Sequence, residues 1–165
     1  MGCGKSTVGR LLAQQLGWRF YDLDYEIEHS AGLSISAIFE QRGEPAFRET
    51  EHQMLGQVLG RARTRRQPTV VALGGGTLAQ AQNQPIIRDG ATTLIWLDCP
   101  LEILLLRCVN MPNRPLFRDE KSFRDLYAQR LPFYEQADYR VASDTDPRIV
   151  VEQILALGIF ERVSV

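Results

Sequence analysis

Gly2, Gly4, Lys5 and Ser6, near the start of the chain, have the types and spacing that hold a chain of phosphates. A polyphosphate needs several backbone N–H groups converging on it, and only small residues let the backbone come that close. In the pattern G-x-x-x-x-G-K-[ST] the lysine reaches the outer phosphates and the hydroxyl ligates Mg²⁺. Gly4, Lys5 and Ser6 fill its last three positions, with Cys3 inside the loop and Thr7 directly after it. The first glycine of the pattern would fall two positions ahead of Met1, so the loop is expected to begin upstream of the sequence as written.

Other residues offer complementary chemistry. Asp22 and Asp24 form a D-x-D at a strand end, where a period of two puts both side chains on one side. One aspartate can hold Mg²⁺ through water while the other takes a proton from an attacking hydroxyl, although an acidic pair here also suits a helix N-cap. Arg48 and Glu51 stand at i, i+3 on one helix face and can meet, either in a site or as a surface salt bridge. Gly74, Gly75 and Gly76 leave bare backbone at another strand end, open to a ligand or simply making a turn. Arg114 sits in a Pro-, Asn- and Arg-rich stretch that reads as a lid of about 110–122, whose closure would neutralise transferring charge and exclude water. Arg130 lies near Tyr134, and Arg48 with Arg130 can clamp a carboxylate through bidentate forks. His29 and His52 lack ligand spacing and read as surface residues.

Alternating elements must position these groups. Helical periodicity from Ser6 to Gly17 follows the phosphate loop, and a short strand from Trp18 ends in the aspartates. Helices are expected at Tyr25–Ser30 and Ser34–Gln41, then a longer one opened by Pro45 with Phe47, Met54, Leu55 and Val58 on one face. Its basic end, Arg61–Arg66, suits a solvated helix C-terminus. Apolar strands at Thr69–Leu73 and Thr92–Leu97, helices at Pro100–Val109 and about Phe123–Tyr134, a strand at Tyr139–Ala142 and a closing helix from Pro147 complete the pattern. Such alternation implies right-handed crossovers, a parallel sheet and helices on both faces, an α/β fold.

The 165 residues suit one domain, and a formal net charge of −1 argues against a nucleic-acid partner. The most apolar stretch, Thr92–Val109, is too short and too charged to span a bilayer. Three cysteines without C-x-x-C spacing fit reduced cytoplasmic thiols. A monomer is the default expectation.

G-C-G-K-S-T, D-L-D, the segment Gly32–Glu40 with Gly43-Glu44 and F-R-x-x-E, then L-G-G-G, N-R-P-L and R-x-P-x-Y together closely resemble the shikimate kinase family, from Met1 to about Leu155. The resemblance implies a P-loop kinase fold, a three-layer α/β/α sandwich, and transfer of the γ-phosphate of ATP to the 3-hydroxyl of shikimate with Mg²⁺. It implies nucleotide contacts from Gly2 to Thr7, from Arg107 against the adenine, from Arg114 and from Pro147 in the adenine loop. It implies that Asp24 holds the substrate hydroxyls and serves as base, that Asp22 and Ser6 lie at the metal, and that Lys5 and Arg114 act on the phosphates. Arg48, Arg130 and Gly74–Gly76 would bind shikimate, with Glu51 orienting Arg48. Thr145 departs from the family, which often has arginine there. The family also begins with a short apolar strand within the sheet, so that strand is expected to be missing from this chain. The competing readings are a truncated, catalytically impaired domain of this family and another small-metabolite P-loop kinase such as a gluconate kinase, which F-R-x-x-E with L-G-G-G disfavours.

Overall fold

The computed structural model describes residues 2–90, 92–109 and 119–160. The first helix, α1 (Lys5–Leu16), turns its Val8 and Leu12 inward. It stops at Gly17, whose φ of 68° only glycine adopts without cost. Strand β1 (Arg19–Asp22) leads into α2 (Leu23–Ala31), and α3 spans Ile35–Arg65. Gly43, at φ 80° and ψ 169°, breaks α3 into the two helical pieces that the sequence pattern predicts, and Pro45 sits in the first turn of the second. Strand β2 (Thr69–Ala72) ends at the glycine run, followed by two 3₁₀ turns (Thr77–Ala79 and Ala81–Asn83) and a short α4 (Gln84–Ile87), none of which the periodicity reveals. Then come β3 (Ile95–Asp98), α5 (Leu101–Val109), α6 (Glu120–Tyr134), β4 (Tyr139–Ala142) and α7 (Pro147–Leu155).

All four strands fall where the sequence places them, and every pairing is parallel. β1 runs beside β2, with Arg19 opposite Thr69 and Asp22 opposite Ala72, and β3 runs beside β4, with Ile95 opposite Tyr139. Among the described residues these pairs form two separate halves, not one continuous sheet. A cavity of about 590 Å³ lies between the halves, lined by β2, β3, Val8 and Leu12 of α1 and Leu55 of α3. No residue of β1 or β4 reaches it, so the inner edges are those of β2 and β3.

Side chains on β2 alternate between two cores, as a pleated strand requires. Val70 faces a core built from α1, β3, α5, α6, β4 and α7, including Leu12, Leu97, Phe123, Val141 and Val151. Val71 and Leu73 face the other, with Leu23 and Ile27 of α2 and Phe47, Leu55 and Val58 of α3. The sheet therefore carries helices on both sides. No described helix is long and apolar enough to cross a membrane.

Candidate active site

Gly2 and Gly4 both adopt left-handed conformations, with φ of 67° and 85°. A β-carbon would be strained at either position, which is why the loop needs glycine there. Gly4 caps α1 with no side-chain hydrogen bond and no acidic residue in the first turn, so the first N–H groups of the helix stay available to an anion. Ser6 and Thr7 are exposed at this end. Lys5 donates to Cys3 Sγ at 3.6 Å. Burial, the largest single influence, pushes the Cys3 thiol up, but the positive charges beside it, Lys5 foremost, together with the hydrogen bonds from Lys5, hold it below its ordinary value of 9.0. Burial likewise opposes charge on Lys5, yet Cys3, Tyr134 and Asp24 together raise it above its ordinary 10.5. Lys5 thus shares a field with Asp24 and Tyr134, which come from α2 and α6.

Asp22 and Asp24 do not project side by side from a strand, because the strand ends between them. Asp22 closes β1 and caps α2, its Oδ1 accepting from the N–H groups of Asp24 at 3.1 Å and Tyr25 at 3.3 Å. Asp24 lies in the first helical turn, where its carboxylate meets the glycine run: a β-carbon on Gly74 would come within 2.9 Å of Asp24 Oδ1.

Arg48 and Glu51 prove to be a buried pair, not a surface bridge. The inward stripe of α3 runs through Phe47, Glu51, Met54, Leu55 and Val58, so Glu51 is a carboxylate in an apolar row and is only 1% exposed. Such a charge persists only when paired and hydrogen-bonded. Arg48 Nη1 donates to Glu51 Oε2 at 2.9 Å, and Arg48 Nη2 donates to Glu44 Oε1 at 3.0 Å. Thr77 Oγ1 donates to Glu51 Oε1 at 2.7 Å.

Gly76 is the point where two cations meet. A β-carbon there would stand 2.8 Å from Arg48 Nη2 and 2.9 Å from Arg130 Nη2. Arg130 is 6% exposed. Burial draws its guanidinium below the ordinary value and Tyr134 supports the charge, while Arg48 opposes it. Two guanidiniums, one buried and one half-buried, repelling across a bare glycine make a seat for an anion. Tyr134 Oη donates to the Gly75 carbonyl at 2.5 Å, fastening the glycine run to α6.

Arg107 Nη1 donates to the carbonyls of Gly2 at 3.3 Å and Ser143 at 3.4 Å, joining the phosphate loop to the end of β4. Pro147 opens α7 after Asp146, whose Oδ1 accepts from the Arg148 N–H at 2.8 Å. Arg114 and the expected lid up to Phe117-Arg118 lie outside the described residues. The sequence reading missed Thr77, Tyr134 as a tether, and the ionic partnership of Cys3. It also placed His52 on the surface, whereas this residue is half-buried with Nδ1 2.8 Å from Asn83 Oδ1. Single polar residues within unremarkable spacing give no sequence signal. Only the hydroxyl of Thr77 directly after three glycines, where a short polar side chain must share their crowded site, could have prompted attention.

A profile of the shikimate kinase family matches residues 1–157. The chain belongs to the shikimate kinase family. A shikimate kinase of Persephonella marina is 41% identical over 157 residues, which cover 94% of this chain and 92% of that protein. One of Microcystis aeruginosa is 42% identical, over 94% of this chain and 80% of that protein. The structure of the shikimate kinase of Acinetobacter baumannii, solved in complex with shikimate, superposes with a TM-score of 0.88 at 36% identity. That match covers 99% of this chain and 91% of the other.

Proposed function

We propose that this chain transfers the γ-phosphate of ATP to the 3-hydroxyl of shikimate, a step on the way to chorismate and the aromatic amino acids. The observation that carries this reading is the convergence of Arg48 and Arg130 on Gly76 while Asp24 stands at Gly74 and supports the charge of Lys5. Carboxylate seat, base and phosphate lysine then lie in order along one site. The paired guanidiniums take the substrate carboxylate in charge-assisted hydrogen bonds. Asp24 accepts the proton of the attacking hydroxyl, and Lys5 follows the charge that develops on the phosphates. The N–H groups after Gly4 cradle the phosphate chain.

Mg²⁺ fits the donors present. Ser6 offers an exposed hydroxyl, and Asp22, with Oδ1 committed to capping α2, keeps Oδ2. No group of three His, Cys, Asp or Glu side chains forms a metal cage among the described residues. One or two hard oxygen donors completed by substrate phosphates and water are the usual Mg²⁺ arrangement. When bound, the ion neutralises phosphate charge during transfer. The reading further takes the enzyme as a cytoplasmic monomer, acting on small soluble substrates.

The test is ADP release coupled to a spectrophotometric readout, with shikimate and gluconate offered separately. Turnover that needs shikimate, ATP and Mg²⁺ together is expected. Turnover with gluconate alone would show that the acceptor is assigned wrongly, and none with either would refute the activity.

A further inference from the structure

Thr77 opens the first 3₁₀ turn directly after the glycine run and is fully buried. Its hydroxyl lies close to two carboxylates, since a β-carbon on Gly74 would sit 2.9 Å from both Thr77 Oγ1 and Asp24 Oδ1 and 3.1 Å from Glu51 Oε1. A threonine hydroxyl carries one proton to donate. That proton goes to Glu51 Oε1 at 2.7 Å, while Glu51 Oε2 takes Arg48 at 2.9 Å.

The hydroxyl is itself held. Asn83, also fully buried, donates from Nδ2 to the Thr77 carbonyl at 2.9 Å. Asn83 Oδ1 lies 2.8 Å from His52 Nδ1, and His52 is the residue next to Glu51 on α3. Glu51, Thr77, Asn83 and His52 therefore form a loop of contacts that leaves α3, crosses the segment after the glycines and returns to α3. Buried polar networks closed in this way fix rotamers that a lone pair of groups would not.

We propose that Thr77 is a positioning residue for the acid-binding half of the reaction. By holding the Glu51 carboxylate in one rotamer it aims the Arg48 guanidinium at Gly76, where the substrate carboxylate is received. Thr77 touches neither reactant in this role and acts only through Glu51 and Arg48. The role rests on the assignment of Arg48 and Arg130 to the shikimate carboxylate.

The experiment compares Thr77→Val, which keeps the shape and removes the hydroxyl, with Thr77→Ser, which keeps the hydroxyl. A hydrogen bond to a charged group predicts a rise of about tenfold in KM for shikimate in Thr77→Val, with kcat and KM for ATP changed by less than about twofold. Thr77→Ser is expected to restore the wild-type KM to within about threefold. In an Arg48→Ala background Thr77→Val should add almost nothing, because both changes break one chain of contacts. If Thr77→Val does not fold, Thr77→Ala is measured in the same way against Thr77→Ser. An unchanged KM for shikimate in the hydroxyl-free variant, equal losses for shikimate and ATP, or full additivity with Arg48→Ala overturns the inference. Arg48→Ala with an unaltered KM for shikimate would instead overturn the carboxylate assignment, so the two failures are distinct.

Discussion

Substitution of Gly76 by alanine should separate catalysis from folding. The added β-carbon would lie 2.8 Å from Arg48 Nη2 and 2.9 Å from Arg130 Nη2, closer than real β-carbons come, and a tight 3.0 Å from Arg48 Nη1. To reach an ordinary contact of 3.4 Å, each guanidinium must withdraw by about half an ångström. Displacement on this scale at a positioning group costs on the order of 10- to 100-fold, or about 1.4–2.7 kcal/mol of transition-state binding. The loss should fall on kcat/KM for shikimate, leaving KM for ATP near its wild-type value. The backbone does not object, since Gly76 has φ −108° and ψ −5°, which alanine adopts readily. Alanine also narrows the unfolded ensemble, worth ~0.4–1 kcal/mol at a compatible site. The melting temperature of Gly76→Ala should therefore hold or rise by a few degrees while acid recognition collapses. Steady-state kinetics with each substrate varied in turn, together with thermal unfolding, tests both halves. A wild-type KM for shikimate would falsify the convergence of the two arginines on this glycine, and a lowered melting temperature would locate the damage in the fold.

Three further outcomes are expected. Asp24→Asn should lower kcat by about 10²–10⁴-fold with a smaller change in KM for shikimate, as removal of a general base does; equal turnover in a single-turnover assay would remove Asp24 from proton transfer. Tyr134→Phe loses the hydrogen bond to the Gly75 carbonyl and should raise KM for shikimate about three- to tenfold, a shift of roughly 0.7–1.4 kcal/mol that a thermal scan will show to be separate from global unfolding. Cys3→Ala should flatten the alkaline part of the pH–stability curve. With its folded pKa depressed below 9.0, Cys3 contributes stability that is present above 9.0 and lost as pH falls through the folded value. Lys5, raised above 10.5, contributes stability that is present below 10.5 and lost as pH climbs past its folded value. The difference between wild type and Cys3→Ala should peak between pH 9.0 and 10.5 in melting temperatures measured from pH 6 to 11. A difference independent of pH would mean that the thiol acts only by packing.

Strand positions and the phosphate loop were legible because their signals are local. Thr69–Leu73 reads as buried from composition alone, and a glycine-rich turn before an amphipathic helix needs no distant partner to be understood. The break in α3 was legible too, through Gly43 and Pro45. The same-side placement of the aspartates fails because period two ends where the strand becomes a helix within three residues, whereas the helix N-cap also expected there is what Asp22 provides. Arg48 and Glu51 illustrate the opposite limit. Their spacing says that they can touch, but only the burial of the Phe47–Val58 stripe decides that the carboxylate of the pair lies in the core. Thr77 reaches Glu51 across 26 positions of chain and His52 reaches Asn83 across 31, and no periodicity connects them.

The division of the sheet also has a mechanical meaning. The acid-binding groups come from both halves: Arg48 on α3 and the glycine run from the β1–β2 half, and Arg130 on α6, whose Phe123 packs with β3 and β4. Helix α1 packs against both β2 and α7, and the phosphate loop is its leading end. Its Val8 and Leu12 share one core with Leu97 of β3 and Val141 of β4, so α1 joins two half-sheets that share no ladder hydrogen bonds among the described residues. The hydrogen bond from Tyr134 to the Gly75 carbonyl and the meeting of Arg48 with Arg130 at Gly76 therefore tie the two halves together across the acid seat.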